Sequence, residues 1–484
     1  MSSSIRRAVL YSSVTRYSMR FMGLFSTMII ARLLTPEEIG TFAIASAIVM
    51  VMSEFRLLGA GAYLVREQEL TEEKIRSATG LTVLISWGLG LLIWLAAPWV
   101  AGFYELEPLS IIFRILSVSF FVAPFISIPT SVLMRSFRFK ELFVVKLYTT
   151  LANVLITISL ILAGFSYYAL AWGYTLAVLV ELLVLIYYRP AGMPWGPSFQ
   201  RVGTIARFGI YTSLAGFLRK GVVTVPDMII GKLGTPLQVG LFSRGLGFIE
   251  FVSQTLIMGV KPVVLPYLSD VKRSGGDINQ AYLQASVMLG GLIWPVLAVA
   301  SVVSLPAIYL FFGDQWLEAA PYASLIAWWA IFRMVHWFSS DLLMARGFEK
   351  VMVIKEAVVF FAHFLAILLL FPLGLKAVAA GFAGAGAIDL VVTSWVLWRY
   401  LDLNPALMVR AWGQNALIMV LCGLAAWGCY EATLAQGFGM VIGLVVVAIS
   451  LPVIWLALIF VLRHPLRTEL VRLYSGVRPP SANS

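Results

Sequence analysis

Four basic residues sit where an apolar chain can least accommodate them. Arg16 and Arg20 fall four apart in the first long apolar stretch, and so on one helical face. Arg219 and Lys220 fall near the centre of the seventh such stretch. A charge at mid-bilayer costs about 2.5–3.5 kcal/mol, so four facing lipid would cost roughly 10–14 kcal/mol, comparable to a domain's whole stability. They are expected to line a shared, wet cleft instead. Arg244, Arg333, Arg56 and Lys261 lie at similar depth. Carboxylates are fewer: Glu54, Asp227, Glu250 and Asp341 are candidates for coupling to an ion, with Glu181 and Asp389 nearer the inner side. The balance is positive, which suits an anionic, phosphate-bearing ligand.

Structural readings compete for several of these positions. Arg16 is also placed to snorkel to an interface. Lys220 and Asp227, seven apart, could partly neutralise each other. Arg32 and Arg114 read as boundary anchors, and Lys261, just before Pro262, as an interfacial residue or a ligand contact. His336 reads better as a satisfied interior histidine than as a proton switch.

The elements that would position these groups are membrane helices. Of 484 residues, 60% are hydrophobic and 12% charged, with mean hydropathy +0.91; a soluble chain is nearer half apolar and a quarter charged. That composition has room for about fourteen spans of roughly 20 residues. Turn chemistry separates the spans at 8–33, 39–62, 77–102, 108–133, 143–164, 166–188, 206–232, 237–262, 281–311, 319–345, 352–373, 376–399, 412–431 and 438–462. No cleavage site follows the first, which reads as an uncleaved span. The net charge is +11 without a basic block, so the cations mark topology and not nucleic-acid binding. With the N-terminus inside, inner segments hold 23 of the 35 Lys and Arg, and outer loops hold only Lys232 and Lys376. Cys422 and Cys429 read as a reduced, packed pair. No zinc spacing, P-loop or nucleophile elbow is present, so neither metal, cofactor nor catalytic residue is expected.

The chain also repeats itself. Residues 28–42, MIIARLLTPEEIGTF, match 228–242, MIIGKLGTPLQVGLF, at eight of fifteen positions without a gap. The register extends back to Arg7 with Arg207 and Arg20 with Lys220, and forward to Ser53-Glu54 with Ser253-Gln254. A second echo pairs Phe139–Lys146 with Phe348–Lys355. An even number of spans per repeat inserts both halves the same way, related by an axis along the membrane normal.

The stretch Ala31-Arg-Leu-Leu-Thr-Pro-Glu-Glu-Ile-Gly-Thr-Phe-Ala43, following a first helix, resembles the Wzx-type polysaccharide flippases of the multidrug/oligosaccharidyl-lipid/polysaccharide exporter superfamily. The resemblance covers essentially the whole chain. It implies an all-α polytopic fold, V-shaped and two-lobed, with six-helix lobes at 1–190 and 200–400, a helix pair at 405–465 and a cytoplasmic tail at 466–484. It also implies a non-enzymatic, monomeric bacterial inner-membrane protein with both termini cytoplasmic. Its substrate would be an undecaprenyl-pyrophosphate-linked oligosaccharide, and its partners membrane lipids and the polysaccharide polymerase and chain-length machinery. Arg16, Arg20, Arg219, Lys220, Arg244 and Arg333 would then hold the pyrophosphate.

Other functions fit less well. A membrane glycosyltransferase, polymerase or ligase needs a large outer loop, and every outer loop here has roughly ten residues or fewer. A drug antiporter of the same superfamily should favour an acidic or aromatic cavity. A peptidoglycan-precursor flippase shares the anionic substrate type but matches the Thr-Pro-Glu-Glu-Ile-Gly stretch less well.

Overall fold

The computed structural model describes residues 3–56, 58–190, 192–200 and 202–475, with side chains other than those of 3–16, 204, 208, 259–270, 272–273 and 472–475. Among the described residues there is no strand. In chain order the helices are α1 (Ser3–Leu33), α2 (Pro36–Ser53), α3 (Ala60–Arg66), α4 (Glu72–Tyr104), α5 (Pro108–Arg135), α6 (Phe139–Leu162), α7 (Tyr168–Tyr188), α8 (Val202–Leu233) and α9 (Pro236–Arg273). They continue as α10 (Ile278–Val302), α11 (Ser304–Phe312), α12 (Ala320–Val335), α13 (Ser339–Ala345), α14 (Glu349–Leu370), α15 (Leu375–Leu401), α16 (Pro405–Ala435), α17 (Met440–Val461) and α18 (Leu466–Ser475). Short 3₁₀ turns occupy Asp314–Ala319 and Phe371–Leu373.

Every expected span falls on one of these helices or on a consecutive pair. Among the described residues, ten are long and apolar enough to cross a membrane: α2, α4–α7, α10 and α14–α17. The other four expected spans fall on α1, α8, α9 and the α12–α13 pair. Three spans are broken. The second breaks between α2 and α3, where Gly59 takes φ 74°, a left-handed conformation open to glycine. The ninth breaks at Val303, before Pro306 in the first turn of α11. The tenth breaks at 336–338, between α12 and α13.

The repeated Thr-Pro-x-x-x-Gly stretch has a local explanation. Thr35 is the N-cap of α2 and Pro36 takes the first helical position, where its missing N–H costs nothing. The Thr35 backbone N–H donates to Glu38 Oε2 at 2.8 Å, and the Glu38 N–H donates to Thr35 Oγ1 at 3.3 Å. This reciprocal capping box satisfies two N-terminal donors. The second copy repeats it: Thr235 N–H donates to Gln238 Oε1 at 3.1 Å and Gln238 N–H to Thr235 Oγ1 at 3.3 Å. Two residues further on, the two copies meet. A Cβ on Gly40 would lie 2.7 Å from the Pro236 carbonyl carbon, and one on Gly240 would lie 2.8 Å from the Pro36 carbonyl carbon. The starts of α2 and α9 therefore cross backbone to backbone, at a distance only glycine allows.

The chain divides into two compact units. The first comprises Met1–Arg244, Phe312–Trp316 and Arg346–Val378. In it α1 packs on α6, α4 on α5, and α7 on both α5 and α6, while α8 lies against α2 and α14. The second comprises Gly245–Phe311, Leu317–Ala345 and Ala379–Ser484. There α10 packs on α12 and α16, α16 on α17, and α17 on α18. Of the expected tail at 466–484, residues 466–475 form α18 and 476–484 lie outside the described residues.

Candidate functional site

All six candidate cations lie on α1, α8, α9 and α12, four of the helices that are not among the ten apolar spans found among the described residues. Arg16 and Arg20 are on α1, Arg219 and Lys220 on α8, Arg244 on α9 and Arg333 on α12. The side chains of Arg16 and Lys261 lie outside the described residues.

The first unit gathers Arg20, Arg219, Lys220, Glu54 and Asp227. Met19, beside Arg20, receives the Thr150 hydroxyl of α6 at 3.2 Å on its sulfur, which fixes that side of α1. Arg219 is exposed and Lys220 half-buried, and neither forms an ion pair among the described residues. Lys220 and Asp227 therefore form no direct ion pair. Glu54 ends α2 and its Oε2 would stand 3.0 Å from a Cβ on Gly216, one turn before Lys220. Phe55 packs against Phe217 with ring centroids 4.9 Å apart and the rings tilted by 43°. The break after α2 thus places a carboxylate within a turn of the α8 cation. Gly209 and Gly221 permit the same closeness above and below: Gly209 meets Leu58 and Gly59, and Gly221 meets the Phe360 ring of α14.

Asp227 is buried, its Oδ1 has no hydrogen-bond partner, and it accepts a bond from Ser243 of α9. Next to Ser243, Arg244 is stacked between Phe312 and Trp316, 4.7 and 4.5 Å from the ring centroids, with its Nε unpartnered. Trp316 is fixed in turn, its indole N–H donating to the Ala31 carbonyl at 2.7 Å. An arginine held between aromatic faces keeps its charge while losing water.

In the second unit two candidates of opposite charge find each other. Arg333 donates to Glu250 Oε1 at 2.6 Å, stacks on Trp329 and Trp337 at 4.9 and 5.2 Å, and Glu250 also accepts from Gln254 at 3.3 Å. The pair is net neutral and acts as one group. Asp341 lies in the first turn of α13. His336 is buried and satisfied at both nitrogens, Nδ1 against Tyr282 Oη at 3.0 Å and Nε2 against Ser394 Oγ at 2.8 Å.

Sequence reasoning missed some charge pairs. Lys355 and Glu356 of α14 are both buried and paired at 2.8 Å, and Lys146 pairs with Glu181 across α6 and α7. The echo of 139–146 in 348–355 already aligned the two lysines, but adjacent or distant partners leave no spacing signal. Arg135 donates to the carbonyls of Leu64, Glu67 and Gln68, and the Lys74 ammonium, 2.8 Å away, holds the Glu67 carboxyl below its usual range. Exposed Arg114 stacks on Trp94 at 5.3 Å, as an anchor does. Both cysteines are free. No cluster of metal-ligating side chains occurs among the described residues.

Comparison with known proteins agrees with this architecture. The Teichuronic acid biosynthesis protein TuaB of Bacillus subtilis is 23% identical over 390 residues, 78% of each chain. The Lipopolysaccharide biosynthesis protein WzxC of Escherichia coli is 21% identical over 344 residues, 67% of each. Among solved structures, the Lipid II flippase MurJ in an inward closed conformation superposes with a TM-score of 0.74 at 13% identity, covering 95% of this chain and 99% of that one, which shows a shared fold. Residues 29–321 match the family model described as Polysaccharide biosynthesis protein, and with more than half its length inside that match the chain belongs to this family of multi-pass membrane proteins.

Proposed function

We propose that this chain is a flippase carrying undecaprenyl-pyrophosphate-linked oligosaccharide repeat units from the cytoplasmic to the periplasmic leaflet of the inner membrane. The product would feed O-antigen, capsule or exopolysaccharide assembly. The observation that carries this reading is the adjacent Arg219 and Lys220 on α8, neither of which forms an ion pair among the described residues. A pyrophosphate supplies the charge such a cleft lacks, and the polyprenyl chain stays in lipid. Residues 1–190 and 200–400 are read as repeats that rock to alternate access, with 405–465 as an added pair and both termini cytoplasmic. The chain acts as a monomer, alongside the polymerase and chain-length machinery. Arg16, Arg20, Arg219 and Lys220 capture the head group. Arg244 and Arg333, each stacked on aromatic rings, contact it later or hold the walls. Of the carboxylates, Asp227 is the best placed to take a proton or cation, because one oxygen is buried and unpaired. Glu54 and Asp341 are secondary, and Glu250 is engaged by Arg333.

The fold shared with a lipid II flippase favours a second reading, the peptidoglycan precursor, which has the same pyrophosphate chemistry. The test is rescue of a strain lacking this protein. Arg20→Ala or Lys220→Ala should abolish surface polysaccharide at normal expression. Arg20→Lys should rescue partly, since it keeps charge but loses the bidentate fork, and Glu at either position should be worse than Ala. Normal export by the Ala and Glu variants would overturn the cationic site. Rescue of a peptidoglycan-flippase deletion, without rescue of polysaccharide, would favour the second reading.

A further inference from the structure

The segment after α17 is built unlike a loose tail. Arg463 turns the chain with φ 52°, and His464 behind it is buried. The Leu466 N–H donates to His464 Nδ1 at 3.2 Å, so Nε2 carries the proton and donates to Asn415 Oδ1 at 2.7 Å. Asn415 passes the bond on to the Val287 carbonyl of α10 at 3.0 Å. Leu466 and Leu470, four apart on α18, pack against the core formed by α10, α16 and α17. A cation that only sets topology needs no such support.

The support presents basic residues. Arg463 and Arg467 are exposed, and Arg467 lies 5.6 Å from the Phe460 ring. Arg410 is also exposed, one turn before Gln414, whose side chain reaches the Leu462 carbonyl at 3.3 Å. None of the three pairs with a carboxylate among the described residues. Beside them Val461, Val409 and Leu407 are 75%, 68% and 55% exposed. Guanidinium groups next to bare aliphatic surface match a ligand that is anionic at one end and apolar at the other. A soluble anion would leave the apolar rim unused.

We propose that Arg410, Arg463 and Arg467 form a binding site for the phosphate of an anionic phospholipid of the inner leaflet, presented by α18 and its buried anchor. The site uses none of the residues proposed to hold the pyrophosphate and rests only on the inward orientation of the chain's end. A basic residue near an anionic surface is worth ~1 kcal/mol, about fivefold, so three are worth about a hundredfold.

The experiment is native mass spectrometry of the full-length protein in detergent with phosphatidylglycerol, phosphatidylcholine, undecaprenyl phosphate or inorganic phosphate. Wild type should retain phosphatidylglycerol over phosphatidylcholine. The R410Q/R463Q/R467Q variant should lose that preference by about a hundredfold, while R410K/R463K/R467K keeps most of it and R114Q, at a different exposed arginine, keeps it all. Undiminished retention by the glutamine variant would overturn the site. So would loss in the lysine variant, displacement by inorganic phosphate, which would mark a free-anion site, or stronger retention of undecaprenyl phosphate, which would mark a carrier-lipid site. The readout is binding, so its outcome does not depend on whether the protein transports an oligosaccharide.

Discussion

Replacing Gly40 or Gly240 with alanine puts a methyl group into the backbone of the other repeat. At Gly40 the new carbon would stand 2.7 Å from the Pro236 carbonyl carbon and 2.8 Å from the Gly240 nitrogen; at Gly240, 2.8 Å from the Pro36 carbonyl carbon and 3.3 Å from the Gly40 nitrogen. None of these atoms belongs to a flexible side chain, so α2 and α9 must part. Overpacking of this kind costs about 1–3 kcal/mol, and alanine's better helix propensity returns about 0.5–1 kcal/mol. The net range is about 0–2.5 kcal/mol, and because the added carbon meets backbone, each single variant should lose an amount near the upper end, about 2 kcal/mol. Both substitutions act on one crossing: once the helices have moved apart for the first methyl, the second meets less resistance. The double variant should fall short of the sum by about 1 kcal/mol. Gly88→Ala in α4 is the control, since nothing lies within 4 Å of its added carbon, and it should be neutral or stabilising. The assay is the thermal unfolding midpoint of the four proteins and wild type in one detergent. Strict additivity, or singles that melt no lower than Gly88→Ala, would refute the crossing.

Burial pushes the His464 imidazole down from 6.5 to about 4. The unfolded chain then takes the proton more readily, so this contribution is complete above about pH 6.5 and is lost as pH falls from there to about 4. It amounts to at most ~3 kcal/mol; melting curves of wild type should show this acid step and His464→Gln should lack it. Glu250→Gln strands the Arg333 charge and should cost about 3 kcal/mol, whereas the double variant Glu250→Leu with Arg333→Met should lose much less; equal losses in denaturation midpoints would make the pair dispensable. Cysteines at positions 314 and 431 should react with an impermeant maleimide from outside, and cysteines at 273 and 475 should not. Labelling of position 314 only from within would invert the topology.

Much of the fold was legible because lipid imposes a single rule. Apolar stretches must be helices of a set length, and Thr35-Pro36, Gly164, Asp277 and Gly374 mark their ends. The breaks were less legible, because an interruption between α2 and α3 or at 336–338 leaves the apolar run nearly intact and depends on what packs beside it. The cations were legible as residues out of place. Their surroundings were not: the Arg333–Glu250 pair joins positions 83 apart in sequence, a separation with no helical period. The box around Arg244 needs a 3₁₀ turn at 314–319, some seventy residues further on.

The repeat shows why scaffold and site differ in legibility. The residues that build the crossing are the same in both copies: threonine caps, proline opens the helix and glycine meets glycine. The residues that carry charge have diverged. Glu38 becomes Gln238, which keeps the capping bond and drops the charge. Glu54, beside α8, becomes Gln254, which instead donates to Glu250. Lys146 pairs with Glu181 on the next helix, while its counterpart Lys355 pairs with its own neighbour Glu356. A duplicated scaffold can be recognised because both copies face the same steric demand, here the closeness of α2 and α9. A binding site inside a symmetric scaffold faces an asymmetric ligand, so selection has no reason to keep its charges in register. The positions where the copies disagree in charge are therefore where substrate and ion specificity should be sought: Glu54 against Gln254, Arg16 against Gly216, and Asp227 against Thr27.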